Sequence, residues 1–291
     1  MIQQSHNLSV LMSTYKNDNP DFLRKALKSL SAQTLKACEV VLVEDGALNP
    51  SLEAVIEQYR EALNIKSVKL AKNMGLGTAL AVGLNNCSAP LVARMDTDDI
   101  AVSGRFQKQY EFLVNNPNVT VLGGHIAEFD QNPYDPVGNR TTKLKHDAIV
   151  KAAWLRNPFN HMTVMFRKDA IIKAGNYQDV PSFEDYDLWL RVISAGYECQ
   201  NLDEVLVYAR IGNGLLERRS GWKYITAEFN AVRGFRRYKV IPKCALFLNL
   251  TSRFAIRILP KNVIQFAYNS LRAKPSEHAK SKHASLAITP K

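Results

Sequence analysis

The sequence predicts an α/β fold: a mostly parallel central sheet flanked by helices, followed by a basic α-helical C-terminal appendage. Three features carry this expectation. Short apolar runs alternate with amphipathic stretches through the first half, the pattern of parallel strands joined by crossover helices. Acidic and polar clusters fall where the apolar runs end, which is where open α/β sheets bind ligands. The charge is divided, because residues 1–209 hold 21 Lys+Arg and 24 Asp+Glu (net −3) while residues 210–291 hold 17 Lys+Arg against Glu217, Glu228 and Glu277 (net +14).

The elements follow in order. Residues 8–13 read as a strand, and Asn19-Pro20 opens a helix to about 33 with Pro in its first turn. A strand at 39–43 ends at Glu44-Asp45-Gly46, Asn49-Pro50 starts a helix to about 63, and a third strand and helix are read at 67–70 and 75–86. A strand at 91–95 runs into Asp96-Thr97-Asp98-Asp99. A helix at 103–115 and a strand at 119–123 precede residues 131–145, rich in Pro, Asn and charge, which read as a loop able to cover a substrate. Strand 163–166, helices 168–174 and 183–195 and a last strand at 206–209 complete the catalytic part, set at 1–210. A basic amphipathic region is set at 211–275 and a disordered tail at 276–291.

The Asp96–Asp99 cluster places three carboxylates after a buried strand, a repulsive arrangement that a cation would relieve. Oxygen ligands suit Mg²⁺ or Mn²⁺, although Asp also favours the first turn of a helix. Glu44-Asp45-Gly46 offers a carboxylate to a base N–H and is equally an acidic turn. Asn73-Met74-Gly75-Leu76-Gly77 is a turn before a helix and matches neither a Lys-Ser/Thr phosphate loop nor a full dinucleotide fingerprint. Phe183-Glu184-Asp185-Tyr186-Asp187 carries more acids than a helix cap requires, so one can serve as a general base. His161 stands before an apolar strand, as a structural residue or as a metal or phosphate contact.

Thr14-Tyr15, Glu44-Asp45-Gly46, Asn73-x-Gly75, Arg94-x-Asp96-x-Asp98-Asp99 and Glu184-Asp185-Tyr186-Asp187-x-Trp189 occur in an order and spacing that resemble family 2 inverting glycosyltransferases with the GT-A (Rossmann-like) fold, over about residues 8–210. Within that family the chain looks most like bacterial enzymes of exopolysaccharide and O-antigen assembly, the amylovoran-biosynthesis type among them. The resemblance implies a nucleotide-sugar donor, most simply a UDP-sugar, contacted by Thr14, Glu44, Asp45, Asn73, Gly75, Arg94 and Asp96. It implies Mn²⁺ or Mg²⁺ on Asp98, with His161 as a further candidate, and Asp185 as base with Glu184 beside it. Glu44-Asp45-Gly46-Ala47 stands where the family commonly has Asp-Asp-Gly-Ser, and Tyr15-Lys16 where it has Tyr-Asn. The Gln-x-x-Arg-Trp motif of processive members is missing, the nearest stretch being Glu217-Arg218-Arg219-Ser220-Gly221-Trp222, so addition of one sugar is expected.

The tail interleaves aromatic and aliphatic residues with Arg and Lys, as in Phe235-Arg236-Arg237-Tyr238 and Arg253-Phe254-Ala255-Ile256-Arg257, a composition suited to an anionic membrane surface. Its alternative is a helical appendage packed on the catalytic domain. No nucleic-acid module accompanies these charges, so nucleic acid is not expected. Cys38, Cys87, Cys199 and Cys244 lack paired spacing, no signal peptide is visible, and no apolar run of about 20 residues could span a bilayer. The expected location is cytoplasmic and peripheral on the inner face of a bacterial plasma membrane, with a polyprenyl-diphosphate-linked sugar as acceptor. A sugar-phosphate nucleotidyltransferase is the other enzyme class considered, but no Gly-rich loop ending in Arg and Lys occurs near residues 8–25. A non-catalytic membrane scaffold would have lost an acid, yet Asp96, Asp98 and Asp185 are all present.

Overall fold

Strand β1 (His6–Thr14) shows why this sheet is central. Leu8, Val10 and Met12 point into one apolar layer and Leu11 into the other, so both faces of the strand are covered. A computed structural model describes residues 6–211 and 222–238. Helix α1 (Pro20–Ser31) starts where Asn19 accepts from the amides of Asp21 (2.8 Å) and Phe22 (3.4 Å), with Pro20 in the first turn. Helix α2 (Pro50–Tyr59) repeats the device through Asn49 and the Leu52 amide at 2.9 Å. Between them lies β2 (Ala37–Glu44), and β3 (Ile65–Lys69) follows. Helix α3 (Leu76–Asn86) packs close to the sheet at Gly83, where an added Cβ would lie 2.5 Å from Leu11 Cδ1 and 2.6 Å from Val43 Cγ2.

The chain then crosses β1 to β4 (Leu91–Arg94). Further elements are β5 (Ile100–Ala101), α4 (Arg105–Asn115), β6 (Val119–Phe129), β7 (Gly138–Arg140), α5 (His146–Ala153), β8 (Met165–Arg167), α6 (Lys168–Lys173), α7 (Glu184–Ser194) and β9 (Glu198–Arg210). The sheet order is β3-β2-β1-β4-β8-β6-β9-β5, with β7 on β6. β3-β2-β1-β4 is parallel and β6 again meets β9 in parallel, while β8 runs against both β4 and β6. From β1 the chain steps outward to β2 and β3, then returns to the other side of β1 as β4. This reversal is a topological switch point, and it opens a crevice at the carboxyl ends of β1 and β4.

The first four strands and three helices lie where the sequence places them. The loop expected at 131–145 contains β7, and the strand expected at 206–209 is the last third of β9. After β9, helix α8 (Trp222–Gly234) and a 3₁₀ turn (Phe235–Arg237) lay Ala231, Val232, Phe235 and Tyr238 into the layer that holds Trp189. This part of the basic region is packed on the catalytic domain. Of the basic region expected at 211–275, residues 212–221 (with Glu217–Gly221) and 239–275 (with Arg253, Arg257 and Cys244) lie outside the described residues, as does the tail expected at 276–291. Among the described residues no helix is long and apolar enough to cross a membrane, and Cys38, Cys87 and Cys199 are free thiols.

Candidate active site

The crevice is built from strand ends. β1 ends at Thr14, whose hydroxyl donates to Asp18 Oδ2 at 2.9 Å; the Thr97 hydroxyl donates to the same oxygen at 3.0 Å and the Tyr15 amide at 3.3 Å. Asp18 therefore ties the end of β1 to the Asp96–Asp99 loop. Burial holds its pKa above the ordinary value, with Asp96 repulsion adding to it and the three hydrogen bonds opposing it. Nothing in the sequence marks Asp18, because it lies just ahead of the α1 cap and its two hydroxyl partners come from separate strand ends.

At the end of β2, Asp45 is buried. Its carboxylate accepts the amides of Met74 (2.6 Å, Oδ1) and Gly75 (3.1 Å, Oδ2), and its carbonyl accepts from Asn73 Nδ2 at 3.2 Å. The turn that Asn73 and Gly75 form is thus held against Asp45, with Gly75 at φ +83°, a backbone region open to glycine. Glu44 is buried beside it and pairs with Lys69 at 3.4 Å.

After β4, Arg94 is almost wholly buried and its guanidinium pairs with Asp96 and with the carbonyl of Met95. Arg94 also reaches the Leu11 carbonyl at 3.4 Å, while its Nε is buried without a hydrogen-bond partner among the described residues. Behind it Arg105 donates to the Arg94 carbonyl at 2.8 Å, and burial, with Arg94 next, pulls its pKa down to about 9. Asp99 is turned inward. Its Oδ1 accepts the Arg210 amide at 2.8 Å, its Oδ2 is buried without a hydrogen-bond partner among the described residues, and burial together with Asp98 and Asp96 holds its pKa well above the ordinary value. Asp98 is half-buried between them, its carbonyl accepting Arg210 Nε at 3.2 Å. Arg210, stacked 3.9 Å over Phe22 and 4.5 Å over Phe129, is a second site residue that the sequence does not mark.

A buried carboxylate oxygen without a partner, inside a like-charged loop, is chemistry that fits a hard divalent cation. Among the described residues no three ligating side chains converge. Mg²⁺-type ions use one or two carboxylates and take their other oxygens from diphosphate and water, so the residues fit a cation that arrives with its nucleotide.

The third strand of the site comes from α7. Asp185 Oδ1 accepts the Tyr186 amide at 2.7 Å and Oδ2 accepts Asn157 Nδ2 at 2.5 Å. Glu184 is buried, and burial followed by Asp185 raises its pKa to about 7. Asp187 is fully buried and occupied, receiving Arg191 Nε at 2.8 Å and the Tyr238 hydroxyl at 2.6 Å. His161 Nε2 meets the Tyr177 hydroxyl at 3.0 Å and its ring lies 6.3 Å from Trp189. Burial and Arg94 bring its pKa down to about 4, so it is neutral at pH 7. The two acidic motifs are linked through α3, because a Cβ added at Gly77 would lie 3.2 Å from Glu184 Cβ, next to the turn that Asp45 holds.

Glu184 has a pH consequence. As pH rises through about 7 it loses its proton and adds a negative charge beside Asp185, the carboxylate that the family resemblance names as base. We expect kcat/KM to rise through that range in the wild type and the rise to vanish in Glu184→Gln. An unchanged pH profile in the variant would rule this out.

The comparisons with known proteins agree with the geometry. The glycosyl transferase family 2 model matches residues 9–174. The amylovoran biosynthesis glycosyltransferase AmsE of Erwinia amylovora is 41% identical over 91% of this chain and 98% of its own length. An Escherichia coli UDP-Gal:α-D-GlcNAc-diphosphoundecaprenol β-1,3-galactosyltransferase is 36% identical over 93% and 98%. A mannosyltransferase from Pyrobaculum calidifontis, solved with GDP-Man and Mn²⁺, superposes with a TM-score of 0.63 at 16% identity, covering 97% of this chain and 81% of that one, a likeness of fold. The fold is the GT-A architecture that the sequence predicts, and a family match across more than half the chain, joined by full-length relatives, settles the assignment: the chain belongs to glycosyl transferase family 2.

Proposed function

We propose that this glycosyltransferase is inverting and non-processive, moving one sugar from a UDP-sugar to a lipid-diphosphate-linked saccharide during assembly of a bacterial surface polysaccharide. The observation that supports the reading is the seating of the Asn73–Gly77 turn, which Asp45 holds, against the start of α7, where a Cβ added at Gly77 would lie 3.2 Å from Glu184 Cβ. A donor-side acid and an acceptor-side base close together are what a single displacement requires. The names of the relatives supply the substrate classes: UDP-Gal and a diphosphoundecaprenol-linked acceptor for one, amylovoran assembly for the other.

In this reading the donor lies across the switch point. Thr14 and Asn73 line the nucleotide pocket, and Gly75 lets the backbone come close. Asp45 takes a base N–H as a third donor to a carboxylate that has about four acceptor positions. Asp96, fixed by Arg94, meets the ribose or sugar. Asp98 would hold Mn²⁺ or Mg²⁺, which when bound supplies Lewis-acid stabilisation to the departing diphosphate. Asp185 takes the proton of the acceptor hydroxyl as that oxygen attacks the anomeric carbon from the face opposite the nucleotide, and the anomeric centre inverts. The basic residues after Arg210 would hold the enzyme peripherally on anionic phospholipid at the cytoplasmic face.

The test is transfer by the purified full chain with Mn²⁺ from UDP-, GDP- and dTDP-sugars to a lipid-diphosphate-linked sugar, with the product's anomeric configuration read by NMR. Transfer of one sugar from the UDP donor with inversion is expected. A retained configuration would overturn the mechanism.

A further inference from the structure

Residues 131–145 do more than close the sheet edge. Strand β7 pairs Arg140 with Ile126 of β6, and this carries Arg140 and Lys143 to one wall of an open cleft of about 360 Å³. The opposite wall is the turn after α5, with Arg156, Asn157 and Asn160. Asn160 is buried and clamps the walls together, donating to the carbonyls of Gly124 (2.9 Å) and Arg140 (3.2 Å). The lining holds three cationic side chains and no carboxylate. Asn157 is the joint with the chemistry, because its Nδ2 is bonded to Asp185 at 2.5 Å. Near the cleft in sequence stand two exposed apolar residues that do not line it, Val137 (48% exposed) and Leu155 (50%).

We infer that this cleft is the acceptor's diphosphate subsite, with Arg140, Lys143 and Arg156 binding the phosphates of a diphosphate-linked saccharide while Asn157 sets Asp185 against its hydroxyl. The cations ring a cleft beside Asp185, and Arg140 also acts on Asp99 of the donor-side loop, so the cleft adjoins the donor crevice; such a setting matches an acceptor that brings its own negative charge to the reaction. Val137 and Leu155 would meet the start of the lipid. The inference rests on the lipid-diphosphate acceptor proposed above, and it predicts a preference that the catalytic residues alone do not impose. An acceptor with the diphosphate is favoured over the same sugar as a neutral alkyl glycoside.

Two measurements on the full chain separate the cases. The first is binding of a GlcNAc-diphosphate-alkyl probe and, separately, of UDP with Mn²⁺, by calorimetry. The second is kcat/KM for that probe and for the neutral GlcNAc-alkyl glycoside. Arg156→Gln and Lys143→Gln should each weaken the diphosphate probe about tenfold, as loss of a charge-assisted contact does, and leave UDP binding within about twofold. Arg156 and Lys143 are both exposed, so neither variant threatens the fold. Equal kcat/KM for the two acceptors in the wild type would overturn the subsite while leaving the transferase reading intact. Equal losses of probe and UDP would also overturn it, by assigning the cations to the donor. Arg-dependent binding of the probe without transfer to any lipid-linked sugar would uphold the subsite and sink the proposed reaction.

Discussion

Asp185→Asn is expected to leave UDP-sugar binding intact and to lower turnover by about 10²–10⁴-fold, the usual range for loss of a general base. The substitution keeps size and shape. The oxygen of the new amide can still accept Asn157 Nδ2, which leaves the Asn157–Phe159 contact in place, so the loss is confined to the local bond with the Tyr186 amide. What is lost is the ability to take a proton. The competing candidate in the same helix is Asp187, and the geometry argues against it. That carboxylate is fully buried, holding Arg191 and the Tyr238 hydroxyl, so its removal should unseat the segment after α8 rather than remove a base. Turnover and thermal stability measured for both variants decide between them. A mild Asp185→Asn and a severe, fully stable Asp187→Asn would transfer the role to Asp187.

Asp98→Ala is expected to abolish transfer, and chelation should do the same to the wild type, with recovery on adding Mn²⁺ or Mg²⁺. The loop cannot easily hold its carboxylates unaided. Asp96 is answered by Arg94, but Asp99 is buried with one oxygen unpartnered, and burial, then Asp98 and Asp96, raises its pKa, so a cation would relieve the loop. In the proposed reading Asp98 is the carboxylate that would hold it. Full activity of the wild type in excess EDTA would refute the metal's role.

Much of this was legible in the sequence, for local reasons. Asn19-Pro20 and Asn49-Pro50 announce helix starts because cap and first turn are adjacent residues, and the buried runs of β1, β2 and β4 announce strands because both their faces are apolar. Asp45 and Asp96–Asp99 sit at strand ends and Glu184-Asp185 at a helix start, in the structure as in the sequence. What could not be read was long-range. The first part of β9 carries Glu198, Gln200, Asn201, Asp203 and Glu204, which break any alternation, and it is a strand because β6 pairs with it from Val119 onward. Asp18, Asn157 and Arg210 enter the site through partners far along the chain, and each has an unremarkable local context. His161 next to an apolar strand offered two readings, and only the position of Tyr177 shows which group its ring nitrogen meets.

The packing of Phe235 and Tyr238 has a mechanical meaning. Tyr238 is bonded to Asp187, and Phe235 lies 4.9 Å from the ring of Tyr186, so both attach to the helix turn that begins with Glu184-Asp185. A load applied to the chain beyond residue 238 is therefore delivered first to the turn that carries the base. Were the ten cations after residue 238 held on an anionic surface, tension there would be felt as torque on Asp185, and turnover would report on attachment without any change in the donor crevice.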